Sequence, residues 1–154
     1  MLSQIRRKGT GETLLRKLTN KELVRSLNRQ KLSAAELKQL GDLYLRKGDI
    51  RKAIQYLYRA ADELSVDHIQ MALALYKKIL NIDPAQTDAC EKIISILSGE
   101  GLAAEQTKYL LMMAEIHRKN NDIQKTVSAY RRILDLDPGN AAAEQYFKRG
   151  KAYK

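Results

Sequence analysis

LKQLGDLYLRKGD, residues Leu37 to Asp49, places a glycine inside an otherwise good helix. Leu37, Leu40 and Tyr44 recur at helical spacing and share one stripe. Gly41 interrupts that stripe, where it costs about 1 kcal/mol relative to alanine. Such a residue is expected where its missing side chain is needed, as when two helices approach closely. The wider composition agrees with a helical reading. Trp is absent, Phe occurs once, there are two prolines, and no alternating run rich in Val and Thr is present.

Outward from this stretch the chain repeats itself. YKKILNIDP (Tyr76–Pro84) returns as YRRILDLDP (Tyr130–Pro138) at an offset of 54. RKGDIRKA (Arg46–Ala53) returns as KNNDIQKT (Lys119–Thr126) at an offset of 73. The two offsets differ by 19, about the length of one helix and its turn. One helix type is therefore expected three times, beginning near Ala53, Ala72 and Thr126, each with a bulky residue four positions later: Leu57, Tyr76 and Tyr130.

On these residues the chain resembles the tetratricopeptide repeat (TPR) family, whose signature runs W-x2-L-G-x2-Y, then A-x3-F, then P, within about 34 residues. Leu37 takes the tryptophan position, Leu40-Gly41-x-x-Tyr44 agrees in spacing and identity, and Ala53 and Leu57 follow. A more degenerate copy reads Leu110, Met113-Ala114, His117, Thr126, Tyr130 and Pro138. Between them, Ala60, Ala72, Tyr76 and Pro84 fit a repeat that shares a helix with the one before. The resemblance spans roughly residues 33–150. It implies an all-α, right-handed helical-repeat solenoid of about seven to eight antiparallel helices, with Gly41 and Ala114 at helix crossings.

Local signals place the helices. Thr19-x-x-Glu22 and Ser33-x-x-Glu36 are capping boxes opening helices near 20–30 and 34–47. Gly48-Asp49 forms a turn, and a helix follows to about Leu64. Others are expected from about Asp67 to Ile82, from a cap at Thr87 or Asp88 to about Leu97, near 103–119 and near 123–136. SGEG (Ser98–Gly101) reads as a break and hinge, and AAAEQYFKRGKAYK as a capping helix with a polar outer side. The expected organisation is a basic N-terminal arm with a short helix over 1–31, its first twelve residues disordered, followed by a repeat domain over 32–154.

The net charge of +10 is unevenly spread. Residues 1–31 carry a net +7, which includes Arg6, Arg7, Lys8, Arg16 and Lys17, and residues 145–154 carry +4. Residues 32–144 are nearly neutral at −1. The arm admits three readings: a solvated tail, a phosphate-binding arm for nucleic acid, or a weak contact with an anionic membrane through Leu14, Leu15 and Leu18. Residues 1–31 hold no aromatic side chain, so base stacking is not offered there.

Signals for catalysis are sparse. Cys90, His68 and His117 lie apart without metal-ligand spacing, and no CxxC, HExxH or CxxCH occurs. His117, at a tyrosine position of the signature, and Cys90 are expected in the core, and His68 at the surface. GTGE (Gly9–Glu12) lacks the Lys-Ser/Thr of a phosphate loop. Neither cofactor nor metal is expected, and the chain does not read as an enzyme. With one cysteine, no secretory leader in its first residues and no long apolar run, it is expected in the cytoplasm.

What the resemblance implies about function is a protein or peptide partner held in a concave groove. The family's ligand-facing positions fall on Ala34, Lys38, Asp42, Leu45 and Arg46 in the first repeat. In the later one they fall on Lys108, Leu111, Glu115, Arg118 and Lys119. The family's clamp for chaperone C-termini needs a basic residue and an asparagine where this chain has Lys38 and Asp42, or Leu111 and Glu115, so that use is not expected. The alternative is a nucleic-acid or anionic-membrane tether acting through the basic ends.

Overall fold

A computed structural model describes residues 32–151, which form seven α-helices: α1 (Ala34–Arg46), α2 (Ile50–Leu64), α3 (Ile69–Ile82), α4 (Thr87–Gly99), α5 (Ala103–Lys119), α6 (Ile123–Leu136) and α7 (Ala141–Lys151). The arm, its expected helix near 20–30 and the residues read as disordered lie outside the described residues. Two compact units divide the chain, Met1–Leu75 and Tyr76–Lys154.

In the first unit, Ser33 opens α1 with the expected capping box. Its Oγ accepts from the Glu36 backbone N–H at 3.3 Å, and the Glu36 carboxylate accepts from the Ser33 N–H at 2.9 Å. The buried stripe of α1 is Leu37, Leu40, Gly41, Leu43 and Tyr44. That of α2 is Ala53, Ile54, Leu57, Ala60 and Ala61. A Cβ at Gly41 would lie 2.7 and 2.9 Å from Leu57 Cγ and Cδ2, and 3.2 Å from the Ala53 carbonyl oxygen. The lost helix propensity is thus offset by the contact of α1 with α2.

The second unit repeats this plan at the offset of 73. Gly48 (φ 78°) has its counterpart in Asn121 (φ 56°), each in the left-handed region. Asp49 and Asp122 follow as N-caps, their carboxylates accepting from the Lys52 and Lys125 N–H groups, each at 3.1 Å. Their own N–H groups donate to the Tyr44 and His117 carbonyls at 3.0 and 2.9 Å. Asparagine serves where glycine serves because its short polar side chain tolerates positive φ.

Ala53, Ala72 and Thr126, expected near helix starts, are each the fourth residue of their helix, so α2, α3 and α6 begin three residues earlier. Ala72 and Tyr76 are fully buried on α3. The first turn of that helix begins at Ile69 rather than Asp67, after a turn through residues 65–67.

Two further boundaries differ from expectation. Neither Thr87 nor Asp88 caps α4: Gln86 is the N-cap residue and makes no side-chain cap bond. Asp83 organises this turn instead, its carboxylate accepting from the Ala85 N–H at 3.0 Å and the Gln86 side-chain amide at 2.7 Å. Those bonds, the Gln86 one first, hold the Asp83 carboxyl below the usual carboxylate range. α4 also runs through Ser98 to Gly99, so the break is confined to 100–102, with Gly101 at φ 71°.

The second unit's core is Ala89, Cys90, Ile93 and Leu97 from α4, Leu110, Met113, Ala114 and His117 from α5, and Ala129 and Ile133 from α6. Arg132 of α6 donates two hydrogen bonds to Glu91 of α4, at 2.5 and 3.1 Å. On α7, Ala143 is fully buried while Glu144, Gln145, Lys148 and Arg149 face solvent, the polar outer side expected of this segment.

Candidate functional site

On α1, Lys38 and Arg46 are exposed and Ala34, Asp42 and Leu45 half-buried. On α5, Lys108, Arg118 and Lys119 are exposed and Leu111 and Glu115 half-buried. Each set follows one face because i, i+4 and i+7 positions align on a helix, opposite the buried stripe.

The central acid of each face is engaged by a cation of its own helix. Lys38 Nζ lies 3.1 Å from Asp42. Glu115 accepts from Arg118 Nε at 2.9 Å and Nη2 at 2.7 Å, with Lys119 Nζ at 3.9 Å. The Arg118 bonds hold the Glu115 carboxyl below the usual range, and Glu115 in turn raises the Arg118 guanidinium. Both pairs are solvent-exposed, so they orient side chains more than they stabilise the fold. Each acid is thus paired within its own helix.

Sequence reasoning missed two features near these faces. In the first unit Tyr44 stacks on Tyr56, centroids 5.4 Å apart, with Lys52 over one ring and Arg59 over the other. Burial, chiefly, raises the Tyr44 hydroxyl above its ordinary pKa. In the second unit an open cleft of about 1130 Å³ lies between α6 and α7, with Arg118 of α5 at its edge. Tyr130 stacks on Tyr146 there at 4.3 Å, and Phe147 meets Tyr146 edge-on at 5.3 Å. Aromatics interleaved with basic groups in QYFKRGK were the signal, but the partner residues on α6 lie in a different segment.

Cys90 is fully buried, its thiol pushed up to about 11 by desolvation first and then by Glu91. His117 is buried and His68 exposed, as the sequence suggested. Among the described residues no group of three or more His, Cys, Asp or Glu is placed to hold a metal ion. No described helix is long and apolar enough to cross a membrane.

The repeated helix pairs and their common turn chemistry define a helical-repeat protein. The tetratricopeptide repeat family model matches residues 39–62 and 107–140. These two regions carry the family's repeat, and the fold of the described residues is the all-α helical-repeat class. No sequence among the curated proteins matches it. Among solved structures it is similar to the C-terminal part of a TPR repeat-containing protein from Cytophaga hutchinsonii, at 19% identity and a TM-score of 0.37, over 88% of this chain and 69% of that one. It is also similar to YrrB, described as a TPR protein with an unusual peptide-binding site, at 14% identity and a TM-score of 0.36, over 89% and 84%. The family is generally a non-catalytic fold for binding other proteins.

Proposed function

We propose that this chain is a non-catalytic adaptor or scaffold that binds a protein segment along the first-helix faces of its repeats. One observation carries the reading: α1 and α5 turn equivalent residues outward at the family's ligand-facing positions, while the opposite stripes fill the core. Lys38, Asp42, Leu45 and Arg46 form one face, and Lys108, Leu111, Glu115, Arg118 and Lys119 the other. Leu45 and Leu111 supply apolar contact, and the charges around them set register and exclude wrong partners. A preformed helical surface keeps the ordering cost on this side low. The reading includes a cytoplasmic address, where a lone buried thiol stays reduced.

The test is capture of partners by the full chain, compared with variants carrying Lys38→Glu with Arg46→Glu, or Lys108→Glu with Lys119→Glu. A third variant has Arg6, Arg7, Lys8, Arg16 and Lys17 changed to Gln. The adaptor reading expects the same protein to be lost from one or both face variants and retained by the arm variant. Retention by both face variants, with loss from the arm variant and nucleic acid or lipid in the eluate, would overturn it in favour of the tether.

A further inference from the structure

We propose that the α6–α7 cleft of the second unit takes an acidic segment of a partner protein, with a large apolar side chain set among its carboxylates. The proposal rests on the adaptor reading and deepens it, since Arg118 belongs both to the α5 face and to the cleft edge.

The cleft has an apolar floor and a cationic rim. Ile123, Val127, Tyr130, Tyr146 and Phe147 supply the floor, and Ile123 is 71% exposed although it sits beside a packed helix pair. Arg118, Arg131 and Arg149 also line it, and among the described residues no acidic one does. Arg131 and Arg149 make no ion pair among the described residues. Arg118 spends two N–H groups on Glu115, which fixes its guanidinium and leaves three of its five donors available. Guanidinium forks suit carboxylates because two parallel N–H groups match two oxygens.

Charge sign selects the occupant. The arm of this chain, at a net +7, is repelled by three arginines, whether from the same molecule or a second copy. Nucleic acid has the right sign, but the rings are engaged with one another: Tyr130 lies against Tyr146, and Phe147 meets that ring edge-on. Stacked bases need free ring faces, whereas an aliphatic or aromatic side chain needs only the open floor beside Ile123 and Val127. A protein segment with acids flanking one apolar anchor satisfies rim and floor together.

The test uses the full chain at about 150 mM salt, where long-range attraction is screened. The probe is a short fluorescein-labelled peptide of Asp and Glu around a central phenylalanine, followed by fluorescence polarisation. Arg131→Glu with Arg149→Glu is expected to weaken binding at least about tenfold, and an alanine in place of the phenylalanine also about tenfold. The arm variant described above keeps the affinity. Equal binding of the alanine peptide, loss with the arm variant instead of the cleft variant, or no binding by the unaltered chain overturns the proposal. So does displacement by a single-stranded oligonucleotide at equal affinity. Both exchanged arginines are exposed, and unchanged circular dichroism confirms that the variant folds. Failure here with face-dependent partner capture intact removes the cleft and leaves the adaptor; peptide binding without face-dependent capture does the reverse.

Discussion

A methyl group at Gly41 has nowhere to go. The atoms it would meet are the branch carbon and one terminal methyl of Leu57, a side chain with no exposed surface to move into, and a backbone oxygen. Gly41→Ala is therefore expected to destabilise the first unit, by about 1–3 kcal/mol of overpacking less about 1 kcal/mol of regained helix propensity. A lower urea midpoint by circular dichroism is the outcome to look for; an unchanged or higher midpoint would mean that α1 and α2 can separate without loss. The same spacing in the second unit carries Ala114, fully buried, and there the residue equivalent to Leu57 is Tyr130, whose ring lies against α7. Cys90 makes a second prediction at this scale. With its thiol near 11 and no exposed surface, it should resist an aromatic disulfide reagent at about pH 8 in the native chain and react fully once unfolded. Rapid native labelling would show that α4 opens.

The helices are held at their ends by residues next to them in sequence. Asp49 and Asp122 each accept from the backbone three residues on, and that bond above all holds both carboxyls below their ordinary pKa. A carboxyl that titrates lower in the folded chain than in the unfolded one favours folding above the unfolded value of about 4. That contribution is lost as pH falls through the folded value. The unfolding midpoint should thus respond little to these groups between pH 7 and about 5 and drop at lower pH. Asparagine caps as well as aspartate but does not titrate there. Asp49→Asn with Asp122→Asn should make the acid drop shallower while leaving the neutral midpoint nearly unchanged; an equally steep drop would assign it to other carboxylates. The turn before α2 and its echo before α6 were legible in RKGD and KNND because turn chemistry is local, whereas the capping role of Asp49 and Asp122 came from the structure. The start of α4 was not legible, since Asp83 took Gln86 and Ala85 as partners and left Thr87 without the capping role its identity suggested.

Along the sequence, the excess charge and the two first-helix faces fall in different stretches. The nearly neutral stretch of residues 32–144 bears both first-helix faces, while the excess positive charge lies in residues 1–31 and 145–154. A partner held on the faces mainly by apolar contacts should lose little affinity between 50 and 200 mM salt. Binding through several phosphate contacts at the ends would fall by about a thousandfold or more over the same range. A salt titration of captured partner reads this directly, and a steep slope would move the function to the ends. The family positions marked α1 and α5 in the sequence, because one helix face is a matter of period alone. The cleft was not marked: its wall joins Ile123 and Tyr130 to Tyr146 and Arg149, and only the packing of α6 against α7 brings them together.

The sequence by itself determined the helical class, the repeat offsets, the small residue at the α1–α2 crossing and the twin turns at Gly48 and Asn121. Propensity, periodicity and turn chemistry act over a few residues, so they are written in order along the chain. The tertiary structure alone decided that Arg132 reaches Glu91, 41 residues away, and that three arginines line one cleft with an apolar floor. Those arrangements depend on the distance between side chains from different helices, which is set when apolar stripes are buried against each other.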